Sequence, residues 1–285
     1  MRQNGRMDYV RAAQPRIVGL FLVTVLAALL LGGWPGAAES LIVLAATGLT
    51  VAGAAIVNNV LERDADARME RTRRRPTASG AVRPGRALAA ALVAVAAGVV
   101  VLWAVAGPLA AGLALAGAAY YALIYTLLLK PNTALSSVPG ALAGVFPALI
   151  GWAATGEAFS AQILFLCGVI FLWSPPHFWA LSLAREDDYR ASGIPTPALR
   201  YGERPTRLLI LGFWAALTAV VVAAWAGGLY GAVYAGLAFT ATAVLWVFVA
   251  RLPAAPSPAR AWTLFKVSGP YLAVVLVAAV LDRLL

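Results

Sequence analysis

The sequence holds one cysteine and one histidine in 285 residues, with only twelve acidic side chains and 12% charged residues in all. A single thiol excludes an intrachain disulfide, and the place of Cys167 inside an apolar run argues against thiol chemistry. So little charge excludes an ordinary soluble domain, in which about a quarter of residues are charged. Apolar and polar residues do not alternate either. Leu, Ala and Val come in blocks, which excludes a transmembrane β-barrel.

What fills the space is apolar: 62% of residues, with a mean hydropathy of +0.82 spread along the whole chain. A helix needs about 20 apolar residues to cross the hydrocarbon core, and closed helices satisfy the backbone there. The reading is an all-α polytopic membrane protein, a single transmembrane domain over residues 1–285. Nine helices are expected, at about 16–33, 40–61, 86–106, 108–128, 135–155, 159–183, 207–228, 229–250 and 262–283. Connections such as "GP" at 107–108 and "AGGLYG" at 226–231 read as tight hairpins. "GAAES" at 36–40 resembles a signal-peptide cleavage site, but the run from Ile17 to Gly33 is longer than a usual signal core and is expected to stay as the first helix.

Basic residues orient this set. With nine crossings, 21 of the 22 lysines and arginines fall on one face, leaving Arg283 opposite. Positive charge is retained in the cytoplasm, so the N-terminus and the two main polar connections, about 62–85 and 184–206, are expected there. The net charge of +10 thus reports topology, and no nucleic-acid partner is expected.

The densest charge follows the second apolar run, in "NNVLERDADARMERTRRRP" at 58–76. Asn58, Glu62 and Asp66 are spaced i, i+4, i+8, so their oxygens fan along one helix face, while Asp64 falls off it. An amide and two carboxylates form an all-oxygen set suited to Mg2+, which takes further ligands from water and phosphate. Arg71, Arg73, Arg74 and Arg75 supply fork donors matched to phosphate. A plainer alternative, solvated loop residues with topology anchors, accounts for the arginines singly; it explains the acids less, because acids contribute little to orientation.

A second cluster closes the sixth apolar run, "SPPHFWALSLAREDDYRASGIP" at 174–195, with Arg185, Asp187 and Asp188 at the same membrane face. The two clusters lie four helices apart, which reads as two four-helix halves plus a ninth helix. His177 follows a Pro-Pro pair expected to distort its helix and free backbone carbonyls. An ionisable group at that depth is a functional candidate, although a packed, hydrogen-bonded imidazole remains open.

These residues carry a resemblance. "N58-xxx-E62-xxx-D66" followed by "R71-T72-RR-R75-P76" resembles the first signature of the UbiA-type intramembrane prenyltransferases. "PPHFWALSLAREDDYRASGIP" resembles the second signature of the heme O synthase family within them, and "YTLLLKPNTALSSVPGALAGVFPALIGW" at 125–152 resembles its lysine-bearing fourth connection. The sequence departs from that pattern at Glu62, where the family has Asp, at Pro131 and at Thr196.

The resemblance implies a bundle with a central apolar cavity open to the cytoplasm, in a bacterial plasma membrane. It implies Mg2+-dependent transfer of a farnesyl group from farnesyl diphosphate to a vinyl group of heme b, giving heme O and diphosphate. Asn58, Glu62 and Asp66 would hold the metal, Arg71, Arg75, Lys130 and Arg185 the diphosphate, and Asp187 and Asp188 a second metal-linked arm. His177 and Tyr189 would contact heme, His177 as an axial ligand or as the base for water addition. Implied partners are heme-copper oxidase assembly or heme A synthesis proteins. Two other readings stand beside it: a prenyltransferase acting on an aromatic quinone precursor, and a transporter. Transporters commonly carry ionisable residues near mid-membrane, whereas here nearly every charge sits at a helix end.

Overall fold

The computed structural model describes residues 5–254 and 257–285, and among these all regular structure is helical. A short α1 (Gly5–Ala12) precedes α2 (Pro15–Leu31) and α3 (Ala37–Leu61). After α4 (Arg63–Arg68) and a polar loop comes α5 (Pro84–Ala119), which runs on as a π-helical segment (Tyr120–Leu129) and α6 (Lys130–Asn132). Then follow α7 (Ser137–Ala153), α8 (Ala161–Ala184), α9 (Glu186–Ser192) and α10 (Pro197–Tyr201). The chain ends in α11 (Glu203–Ala226), α12 (Ala232–Ala254) and α13 (Pro258–Leu284).

Each of the nine expected apolar stretches falls on a helix. Among the described residues six helices are long and apolar enough to cross a membrane, one of them the 49-residue run from Pro84 to Asn132; α2 and α7 are shorter apolar helices. The protein is an integral membrane protein. The long run is itself a hairpin, as side-chain packing reveals. Ala87 and Ala91 pack with Ile56 and Val60 near one end of α3, Leu102 and Ala110 with Val43 near the other, and Thr126 has returned to bond Asn58. The reversal is at Gly107, whose φ of 83° suits glycine and whose successor Pro108 presets the next helix.

Small residues set the closeness of this packing. A Cβ on Gly53 would stand 2.7 Å from the Ala91 carbonyl oxygen, and one on Gly98 would stand 2.6 Å from that of Ala46. Lipid tails offer no hydrophobic drive between helices, so van der Waals contact through such glycines is what binds α3 to the first half of α5. The larger core lies in the other half, where Trp179, Trp214, Tyr234, Leu264 and Leu276 interlock across α8, α11, α12 and α13.

Three local features differ from expectation. α8 passes through Pro175 and Pro176 as one continuous helix; the missing N–H groups leave carbonyls of the preceding turn unbonded without breaking it. α11 and α13 begin about one turn earlier than hydropathy marks, at Glu203 and Pro258, because polar first turns extend them into the loops. The Ser257 side chain caps α13 by accepting from the Arg260 N–H at 3.3 Å. α1, too short and polar for an apolar scan, was not foreseen.

Candidate active site

The first acidic cluster forms where α3 stops. Its apolar run ends at Leu61, and Glu62 caps it with φ −93° and ψ 3°, so the helix bends there instead of continuing straight. The ladder still survives the bend: the Glu62 N–H reaches the Asn58 carbonyl at 2.9 Å and the Asp66 N–H the Glu62 carbonyl at 2.8 Å. The i, i+4, i+8 relation therefore persists, and all three side chains are buried, at 3%, 9% and 3% exposure for Asn58, Glu62 and Asp66. Asp64 is exposed beside Arg63, as its off-face position predicts.

Buried carboxylates demand partners. Glu62 Oε1 has Lys130 Nζ at 2.5 Å, delivered by the far end of the π-helical segment. Asp66 Oδ2 accepts from Arg75 Nη1 at 2.7 Å. Arg75 is brought there because the loop after α4 folds back on itself. Thr72 Oγ1 donates to the Asp66 carbonyl at 3.0 Å and Thr77 Oγ1 to the Asn59 carbonyl at 2.9 Å. Asn58 Nδ2 donates to Thr126 Oγ1 at 3.1 Å. Each acid thus holds one cation, and the cations are of the kind that binds phosphate.

These groups open on a cavity of about 460 Å3, lined by Asn58, Glu62, Arg71, Arg75 and Lys130 and then by mostly apolar wall from α2, α7, α8 and α13. Tyr121 and Tyr125 stack beside the charges, ring centres 5.7 Å apart. His177 lies on the wall between Trp173 and Phe265, 4.3 and 4.4 Å from their ring centres. Its Nδ1 is 2.7 Å from Ser268 Oγ. Ser268 donates its one proton to the Phe265 carbonyl, so His177 Nδ1 must be the donor and Nε2 carries the lone pair.

The second cluster is turned differently. Asp187, Asp188 and Arg185 line a neighbouring cavity of about 540 Å3, together with Glu70, Glu203 and Arg207. Asp188 Oδ1 accepts from the Glu70 N–H at 2.8 Å, and Arg68 Nη2 donates to the Ser192 carbonyl at 2.8 Å, so the two polar connections are clasped together. Arg185 stands over the Trp262 ring at 4.8 Å. Of the eleven expected site residues, Asn58, Glu62, Arg71, Arg75, Lys130, His177 and Tyr189 line the first cavity. Asp66 sits one bond behind it through Arg75. Asp187, Asp188 and Arg185 stand next door, and Arg71 lines both cavities.

Sequence reasoning passed over Tyr121 and gave no role to Tyr125 and Thr126, which open the motif at 125–152, since nothing in an apolar run marks a π-helix. It also passed over Gln14, which holds φ 52° and donates from Nε2 to Asn59 Oδ1 at 2.9 Å. Asn59 in turn donates to the Ala12 carbonyl at 2.6 Å, tying the N-terminal helix to the acidic edge. The Asn-Asn doublet was the available signal.

The all-helical bundle thus sets paired charges at the rim of a mostly apolar cavity. The chain belongs to the UbiA prenyltransferase family, whose model matches residues 20–275. A "Protoheme IX farnesyltransferase 1" of Pseudomonas putida is 38% identical over 98% of this chain and 94% of the relative. A "Protoheme IX farnesyltransferase" of Thermus thermophilus is 40% identical over 97% of this chain but 46% of the relative, so the chain spans about half that protein's length. Among solved structures, a digeranylgeranylglyceryl phosphate synthase superposes with a TM-score of 0.79 at 14% identity, covering 98% of this chain and 99% of the other. A UbiA homolog from Archaeoglobus fulgidus bound to GPP and Mg2+ gives 0.69 at 12% identity, over 95% and 99%. At such identities the likeness is one of fold.

Proposed function

We propose that this protein transfers a farnesyl group from farnesyl diphosphate to a vinyl group of heme b, with addition of water, giving heme O and diphosphate. The observation that carries the reading is the cavity itself, apolar along its walls and rimmed by Asn58, Glu62, Arg71, Arg75 and Lys130. The relatives named protoheme IX farnesyltransferase, which align over nearly this whole chain, support the choice of acceptor.

The residues fit Mg2+ on their donor chemistry. Asn58, Glu62 and Asp66 offer only oxygen, are buried, and are spaced one helical turn apart. Among the described residues no three His, Cys, Asp or Glu side chains form a group that could hold a metal by themselves, so an ion here would take the rest of its shell from phosphate and water. Bound there, Mg2+ would supply positive charge against the departing diphosphate.

The protein's own groups do the rest. Lys130 and Arg75, which pair with Glu62 and Asp66, hold the phosphate oxygens together with Arg71. They stabilise charge that grows as the allylic C–O bond breaks. The apolar walls withhold bulk water, which would capture the farnesyl cation before the vinyl carbon does. His177, its Nε2 lone pair free of Ser268, contacts the heme as an axial ligand, and Tyr189 borders the same space. Asp187, Asp188 and Arg185 act from the outer cavity on the diphosphate side. The nine apolar stretches read from the sequence all cross the bilayer of a bacterial plasma membrane, with the N-terminus and the acidic clusters in the cytoplasm. The product would pass to heme A synthesis or heme-copper oxidase assembly proteins.

The acceptor is tested by offering the detergent-solubilised protein labelled farnesyl diphosphate with heme b and an aromatic quinone precursor side by side. Label is expected in the heme; label confined to the quinone would overturn the assignment.

A further inference from the structure

We infer that Thr126 is a positioning residue that fixes the Asn58 amide with its carbonyl oxygen turned to the cation. The inference rests on the proposed metal role of Asn58 and extends it to a residue in a different segment, 68 positions away. Thr126 Oγ1 is 5% exposed by residue and has two neighbours: the Tyr121 carbonyl at 2.8 Å and the Asn58 side chain at 3.1 Å. A hydroxyl has one proton. A carbonyl only accepts, so that proton goes to Tyr121, and Thr126 must accept from Asn58. The amide nitrogen is thereby committed to Thr126, and Oδ1, the only Asn58 atom able to ligate a cation, is the end left for the cavity.

The backbone makes this possible. In a regular α-helix a threonine hydroxyl bonds back three or four residues; here it bonds back five, to Tyr121, because residues 120–129 are π-helical. The same widened turn carries Tyr121, Tyr125 and Lys130 onto the cavity wall. A sequence-silent irregularity thus serves both the amide and the lysine that pairs Glu62. Partners of this kind orient metal-binding side chains, and their loss typically weakens metal affinity by about 10–100-fold.

The test is Mn2+ binding, followed by the loss of its free EPR signal, to the full chain in detergent with inorganic diphosphate present. Thr126→Val keeps the shape and removes the hydroxyl; Thr126→Ala removes the hydroxyl and the methyl, with no risk of a clash; Thr126→Ser keeps both bonds. Thermal unfolding of each variant reports the fold. The expected result is at least about tenfold weaker Mn2+ binding for Val and Ala, with Ser near wild type. Wild-type affinity in folded Thr126→Val or Thr126→Ala would overturn the proposal, as would equal weakening in Ser and Val, which would make the effect one of packing. A wild type that binds no Mn2+ under these conditions, like an Asn58→Ala variant that binds it normally, would instead remove the metal role of Asn58 itself.

Discussion

At the scale of single residues, the site is built from two acids and two cations that already satisfy one another. Glu62 and Lys130, and Asp66 and Arg75, are pairs whose members sit mostly out of solvent. Removing one member of a buried pair leaves the other charge uncompensated, at about 3–5 kcal/mol. Arg75→Ala is therefore expected to cost stability as well as diphosphate affinity, and to leave heme binding much less affected; parallel titrations with inorganic diphosphate and heme b separate the two. Glu62→Asp shortens the side chain by one methylene and restores the residue that the family pattern carries there, so turnover is expected to be retained or raised. A Glu62→Asp protein with normal fold and lost activity would show that Lys130 needs the longer reach. His177→Ala is expected to change the Soret spectrum of bound heme b, and an unchanged spectrum and affinity would remove its ligand role.

Individual residues also mark where sequence reading succeeded. The i, i+4, i+8 spacing was enough to bring Asn58, Glu62 and Asp66 to one edge, because backbone hydrogen bonds persist through the bend at Glu62. It was not enough for Asp187 and Asp188. Their sequence distance from His177 says nothing of how α9 turns after Arg185, and that turn sets Asp188 against the Glu70 N–H and into the neighbouring cavity.

At the scale of elements, hydropathy locates helices and misses what lies at their ends and within them. The apolar stretches were legible because a segment of Leu, Ala and Val in lipid has no option but a helix. Capping and helix type were not. Asp282, at the end of α13, accepts from the Gly231 and Tyr234 N–H groups at 2.6 and 3.0 Å and so closes the start of α12 from another helix. No local pattern encodes that contact. Asp282→Ala is expected to lower the thermal unfolding midpoint, by the roughly 1 kcal/mol of a lost cap, without changing affinity for diphosphate. The π-helical turn at 120–129 is equally silent in sequence, since its residues differ in no way from an ordinary apolar helix.

At the scale of the whole molecule, the proposed orientation rests on where the charge falls. On the nine-crossing reading, 21 of the 22 lysines and arginines fall on the face that carries the acidic clusters. In a background lacking Cys167, a cysteine at exposed Ser79 is expected to react with membrane-impermeant thiol reagents only in inverted vesicles, and one at exposed Glu157 only in right-side-out vesicles. The reverse pattern would turn the site to the other face.

The central claim is that the buried acid edge and the apolar cavity act together on farnesyl diphosphate and heme b. The most direct measurement incubates the purified protein in detergent with both substrates and Mg2+ and weighs the heme product by mass spectrometry, alongside folded Asp66→Ala protein and a sample treated with EDTA. Heme O from the wild type alone, and only with metal, is the predicted result; heme O formed at full rate by folded Asp66→Ala, or after EDTA, would contradict the account.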